Sequence, residues 1–175
     1  MIGRVPLVPI HVLSGRVEAS LLGALAGSPH LHRAASIDDL AGILDRVAGQ
    51  GAATEPRTLD LYGHATRGAS LLRVGTSVID ATDRRVEACF RGLVRSGSFV
   101  RAGVRSVRLV GCGTATTEIG QLTIRVLSRI LAVPVLGTTK RIMPSHYDAH
   151  GLGAAYAHLS VEARSVPRRG PFAAS

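Results

Sequence analysis

The stretch VRLVGCGTATTEIGQLTIRVL, residues 107–127, changes its period in the middle. Residues 105–110 alternate and then turn apolar, which reads as a strand ending at Gly111-Cys112-Gly113. Over residues 118–131, Ile119, Leu122, Val126, Leu127 and Ile130 form one stripe at helical spacing, with Thr116 or Thr117 as the natural cap. A strand that passes through a glycine-flanked turn into a long helix is one unit of an α/β sheet with parallel strands.

The same alternation continues outward. Upstream, residues 5–13 read as a first strand and 17–26 as a helix stopped by Gly27-Ser28-Pro29. A short second strand over 31–35 leads to Ser36, a capping residue for a helix over 37–48. Residues 58–63 form a third strand running into His64, followed by a small hairpin about Gly75-Thr76 and a helix over 83–94. Downstream, 133–137 is a fifth strand, 138–151 a polar loop, and 166–175 an aperiodic tail with two prolines. The pattern predicts one α/β domain over residues 1–165: a predominantly parallel sheet with helices on both faces. Strands one, three and four should be central, because their residues are apolar on both sides.

Composition narrows the function classes. The chain has 175 residues, 46% hydrophobic, 3% aromatic and 19% charged, which excludes a disordered chain and suits a single core. No run of about 18 apolar residues exists to span a membrane, and the first 15 residues lack the pattern of a signal peptide. Cys89 and Cys112 are too few for a disulfide framework or a cysteine-only zinc site, so the expected compartment is the cytoplasm. Lys and Arg total 21 against 12 Asp and Glu, a net charge of +9, and Lys140 is the one lysine. A basic chain attracts acidic partners. These arginines are scattered, however, and three Phe with three Tyr offer little for base stacking, so the pattern speaks against nucleic acid.

Chemistry concentrates at two strand ends. His64 follows the third strand and Cys112 the fourth, and in open parallel sheets functional side chains gather at the carboxyl ends of strands. If these strands are neighbours, a thiol and an imidazole emerge side by side, the minimum apparatus for covalent acyl transfer. Gly63, Gly111 and Gly113 allow sharp exits and a close approach of substrate to backbone amides, which could serve as an oxyanion hole. The helix beginning near Thr117 turns its positive end toward the thiol, favouring thiolate. The alternative for Cys112 is a small buried hydrophobe, and for His64 a ring satisfied by a backbone carbonyl. Cys89, among Val86, Phe90 and Leu93, reads as core. Asp60 reads as a partly solvated strand residue. The segment SHYDAHG, residues 145–151, offers His146, Asp148 and His150, but its irregular setting and lack of a third ligand favour a substrate-lining loop over a metal site.

The histidine block LDLYGHATRGASLL, residues 59–72, and the cysteine block VRLVGCGTATTEIGQLTIRVL, in this order and spacing, resemble those of the caspase-like cysteine peptidases, most closely the bacterial CHAT-like domains. The resemblance covers about residues 58 to 140. It implies the caspase-hemoglobinase three-layer sandwich, a Cys112–His64 dyad that cleaves a protein or peptide without a cofactor, and a role as a bacterial effector or regulatory protease with a regulatory partner protein. It also implies that Arg67, Val110, Thr138, Thr139, His146 and Asp148 border the substrate. Two positions depart from the family pattern. Ala65 replaces the glycine after the histidine, and Val110 replaces the acid that relatives cutting after Lys or Arg carry two residues before the cysteine. Val110 therefore points to a neutral, small or apolar residue at the cleavage site. The alternative function is a catalytically degenerate scaffold or protein-binding module of the same fold.

Overall fold

In the computed structural model, β1 (Val8–Ser14) is followed by α1 (Ala19–Leu25), β2 (Leu31–Ala34), α2 (Leu40–Gly49) and β3 (Arg57–Tyr62). The hairpin β4 (Arg73–Val74) and β5 (Ser77–Val78) precedes α3 (Arg84–Arg95), the single turn α4 (Ser98–Arg101) and β6 (Val104–Val110). The chain continues through α5 (Glu118–Leu131) and β7 (Val135–Thr138), the small ladder of β8 (Tyr147–Asp148) and β9 (Gly151–Leu152), and β10 (Ser160–Glu162). The structure describes residues 7–15, 17, 19–50 and 55–162; the expected tail, 166–175, lies outside them.

Six strands form one sheet in the order β10-β7-β6-β3-β1-β2. All neighbours are parallel except β10, which runs antiparallel to β7. The sequence predicts five strands, and the antiparallel edge β10 is the addition. β1, β3 and β6 each have a partner on both sides, and every residue of β3 is buried.

Successive residues of a strand face opposite sides of the sheet, and the two sides are covered differently. On one side Ile10, Val12, Leu59, Leu61, Val107, Leu109 and Val135 meet the apolar stripes of α2, α3 and α5, with Phe99 of α4. Each fully buried Leu or Ile contributes roughly 1.5–3 kcal/mol by leaving water, so this face holds most of the apolar stabilisation. Local signals place its helices. Ser36 and Asp39 form a capping box at the 3-10 turn before α2, and Asp83 caps α3 by accepting the Arg85 N–H. On the other side Leu13, Tyr62 and Val110 are covered by α1 and by residues of the 142–152 loop, including Ile142, Tyr147 and Leu152. Helices were expected on both faces; among the described residues the second face carries one seven-residue helix, and an irregular loop does the rest.

That second face also holds a polar row. His11 of β1, Asp60 of β3 and Arg108 of β6 stand side by side in register. His11 and Asp60 are completely buried. Arg108 grips Asp60 through two bonds, Nε to Oδ1 at 2.6 Å and Nη2 to Oδ2 at 2.5 Å, and His11 Nδ1 lies 3.5 Å from Asp60 Oδ2. Burial alone would push the Asp60 carboxyl up; the Arg108 charge and the hydrogen bonds from His11 and Arg108 outweigh it and hold the carboxyl below its ordinary range. The expectation of a partly solvated Asp60 is thus corrected: alternation places it on the second face, where its neighbours and the cover of that face leave it no exposure.

Candidate active site

β3 and β6 are adjacent and parallel, with Tyr62 paired to Val110. Gly63 and Gly111 are the next residues on the two strands, and His64 and Cys112 the ones after. Both chemistry-bearing side chains therefore leave the sheet at the same step on neighbouring strands, and both are exposed.

The glycines have separate reasons. The Arg73 carbonyl of the β4–β5 hairpin lies where a Gly63 side chain would start, and a Cβ on Gly111 would stand 2.7 Å from Leu72 Cδ1. Gly113 takes a left-handed φ of 70°, the conformation glycine adopts without penalty. Gly63→Ala is accordingly expected to displace the hairpin and lower stability by about 1–3 kcal/mol, as overpacking does. Urea unfolding checks this, and an unchanged midpoint would show that the hairpin does not pin this strand end.

Beyond Cys112 the turn is locked by two threonines. Thr114 Oγ1 donates to the Leu109 carbonyl at 2.8 Å and accepts the Thr138 N–H at 2.8 Å, while Thr138 Oγ1 bonds the Gly111 carbonyl and accepts the Thr114 N–H at 3.1 Å. Thr117 caps α5 by accepting the Gly120 N–H, and its hydroxyl donates to the Ala69 carbonyl at 2.6 Å. The helix N-terminus is thereby tied to the loop that follows His64.

His64 and Cys112 line one cavity of about 170 Å³. Its walls are Val17, Leu21, Tyr62, Gly63, Val110, Gly111, Arg141, Ile142, Met143, Pro144 and Tyr147. Pockets for drug-sized ligands run about 300–1,000 Å³, so this one suits a single side chain. The Cys112 thiol lies 4.0 Å from the Ile142 carbonyl, toward which it donates, and no hydrogen bond joins it to His64. Two backbone amides foreseen as oxyanion donors are already used: Gly113 N–H donates to the Lys140 carbonyl at 3.1 Å and Gly63 N–H to the Val110 carbonyl at 3.2 Å. The N–H groups of Cys112 and His64 have no acceptor among the described residues.

Of the residues expected to border the substrate, Val110 lines the cavity and five others do not. Thr138 is buried and spent on the Cys112 turn, and Thr139 bonds the Leu159 carbonyl through both its N–H and its hydroxyl. Arg67 is exposed on the turn after His64. His146 stacks on Tyr156 with ring centroids 4.3 Å apart, and Asp148 accepts the His150 N–H at 2.8 Å. Among the described residues no three His, Cys, Asp or Glu side chains gather in a way that could hold a metal ion.

The sequence reading missed both tyrosines of the wall. Tyr62 stands two residues before His64, as Val110 stands two before Cys112, and that symmetry is the signal which could have found it. Its hydroxyl joins the polar row, 3.1 Å from His11 Nδ1 and 3.3 Å from Asp60 Oδ2. Tyr147 packs edge-on against Tyr62, centroids 5.4 Å apart. Burial, reinforced by the nearby Asp60 charge, raises the pKa of both phenols, so both remain protonated at neutral pH. Cys89, by contrast, is half-buried beside the 3-10 turn that precedes α2, with its thiol directed to the Ile37 carbonyl at 3.5 Å; burial and then the Asp38 charge push its pKa up. Compared with protein-family models, with curated proteins and with solved structures, the chain matches none.

Proposed function

We propose that this chain is a caspase-like cysteine endopeptidase, with a three-layer fold, Cys112 as nucleophile and His64 as general acid and base. The observation that carries the reading is the paired exit of Cys112 and His64 from adjacent parallel strands into one cavity sized for a side chain. The Cys112 proton passes to His64, Sγ attacks the peptide carbonyl carbon, and a C–S bond forms. The C–N bond then breaks as His64 protonates the leaving amine, and water hydrolyses the thioester to release the acid and restore the thiol. The amides of Cys112 and His64 remain to receive the oxyanion, since those of Gly113 and Gly63 are engaged. No cofactor enters these steps. No helix among the described residues is long and apolar enough to cross a membrane, and we place the enzyme in the cytoplasm, acting on a protein substrate under a regulatory partner as a bacterial effector.

One observation favours a second reading, a scaffold with a degenerate site: the Cys112 thiol faces the Ile142 carbonyl instead of the imidazole. Catalytic hydrogen bonds are often loose before substrate binds, and a reactivity test separates the two readings. Iodoacetamide at neutral pH should modify Cys112 well before Cys89, measured by peptide mass spectrometry over time. His64→Ala should slow that labelling. Faster labelling of Cys89, or an unchanged Cys112 rate in His64→Ala, supports the scaffold.

A further inference from the structure

Resting on the peptidase reading, we infer that the cavity beside Cys112 accepts a carboxamide side chain, glutamine or asparagine, at the residue whose carbonyl is attacked, and that the Tyr147 hydroxyl reads it. Tyr147 is 8% exposed, and its buried hydroxyl has no hydrogen-bond partner among the described residues. The other phenol of the wall is different, because the Tyr62 hydroxyl is already held by His11 and Asp60. A buried hydroxyl without a partner is disfavoured, and a substrate acceptor entering the cavity would supply one. The ring cannot easily turn away, being packed edge-on against Tyr62 at 71°.

The opposite polarity is present as well. The Ile142 carbonyl, on the same wall, has only the long thiol contact of 4.0 Å, which leaves it able to accept an amide N–H. Beside Arg141 and the Cys112–His64 pair, the Tyr147 donor and the Ile142 acceptor match the C=O and NH₂ of a carboxamide. A Lys or Arg side chain finds no carboxylate among the lining residues. A carboxylate would meet the exposed Arg141 at the cavity. It carries no donor, however, and would leave the Ile142 carbonyl facing another acceptor. Leucine matches asparagine in shape and would leave both polar groups without partners.

Fluorogenic peptides differing only at this position, with Gln, Asn, Leu, Glu or Arg, test the assignment. The better carboxamide should exceed Leu and Glu in kcat/KM by about tenfold, the scale of one net hydrogen bond. Tyr147→Phe, which keeps the ring, should bring the carboxamide-to-Leu ratio down toward one. Preference for Leu, Glu or Arg, or a Tyr147→Phe protein with an unchanged ratio, overturns the assignment. The failure of catalysis itself is told apart by binding: Cys112→Ala is titrated with acetylated tripeptide amides ending in Gln, Asn, Leu or Glu. If the wild type cleaves nothing while the carboxamide peptides still bind tightest, the peptidase reading falls and the pocket assignment stands. If nothing is cleaved and binding shows no such order, both fall.

Discussion

Cys112→Ala is expected to abolish peptide turnover and to leave the unfolding midpoint almost unchanged. Cys112 is exposed and its thiol makes one long contact, so the substitution falls in the surface class, within about 0.5 kcal/mol. On the proposed peptidase reading its chemical effect is complete, since the acyl-enzyme would form on Sγ. His64→Ala should lower kcat by about 10²–10⁴, the range supplied by a positioned general acid–base, again with little change in stability because the ring is exposed and has no hydrogen-bond partner among the described residues. Steady-state kinetics beside a thermal melt measure both quantities on one sample. Residual turnover in Cys112→Ala at the wild-type rate would remove the nucleophile assignment outright.

Arg108→Leu should be the most destabilising single change at the second face. It strips Asp60 of its bidentate partner while leaving the carboxylate fully buried, and breaking a buried pair in this way costs about 3–5 kcal/mol. Urea titration measures it; a loss under about 1 kcal/mol would mean that water reaches Asp60. The pH dependence follows from the same pair. The Asp60 carboxyl is held below its ordinary value in the folded chain and titrates near 3.9 in the unfolded one. Its contribution is therefore fully present above about pH 4 and is lost as pH falls through the lower, folded pKa. In Arg108→Leu burial is largely unopposed, the folded pKa rises, and the acid limb of the stability curve should move to higher pH.

Local pattern was sufficient where one residue type settles one feature. The stripe and threonine cap of residues 118–131 match the bounds of α5, and the helix expected from 83 starts just after Asp83, whereas Ser36 caps a 3-10 turn and α2 begins only at Leu40. Other elements carry weaker signals. β10 is three half-buried residues recruited by the edge of β7, α4 is one turn begun at a left-handed Gly97, and residues 154–159 form a 3-10 segment with no apolar stripe. The placement of His64 and Cys112 was legible because strand ends in a parallel sheet share an edge. The walls were not. Asp60 meets Arg108 and His11 only once the register of three strands is fixed, 48 residues separating the first pair. In the segment 145–151 the eye goes to histidines and aspartate, while the tyrosine between them does the packing.

The loop over the second face has a dynamic consequence. Parallel strands buried on both sides exchange their amide hydrogens only when the domain opens globally, whereas a cover held by a two-residue ladder and isolated bonds can lift by a smaller fluctuation. Amide hydrogens of β3 and β6 should thus be among the slowest to exchange for deuterium, and those of residues 141–153 among the fastest in the interior. Gly151 seats this loop directly on Arg108 and Asp60, where a Cβ would stand 2.7 Å from the guanidinium. Each lifting event would admit water to the ion pair and remove the Tyr147 wall together, so the breathing of one segment sets both the lifetime of the pocket and the dryness of the charges beneath it.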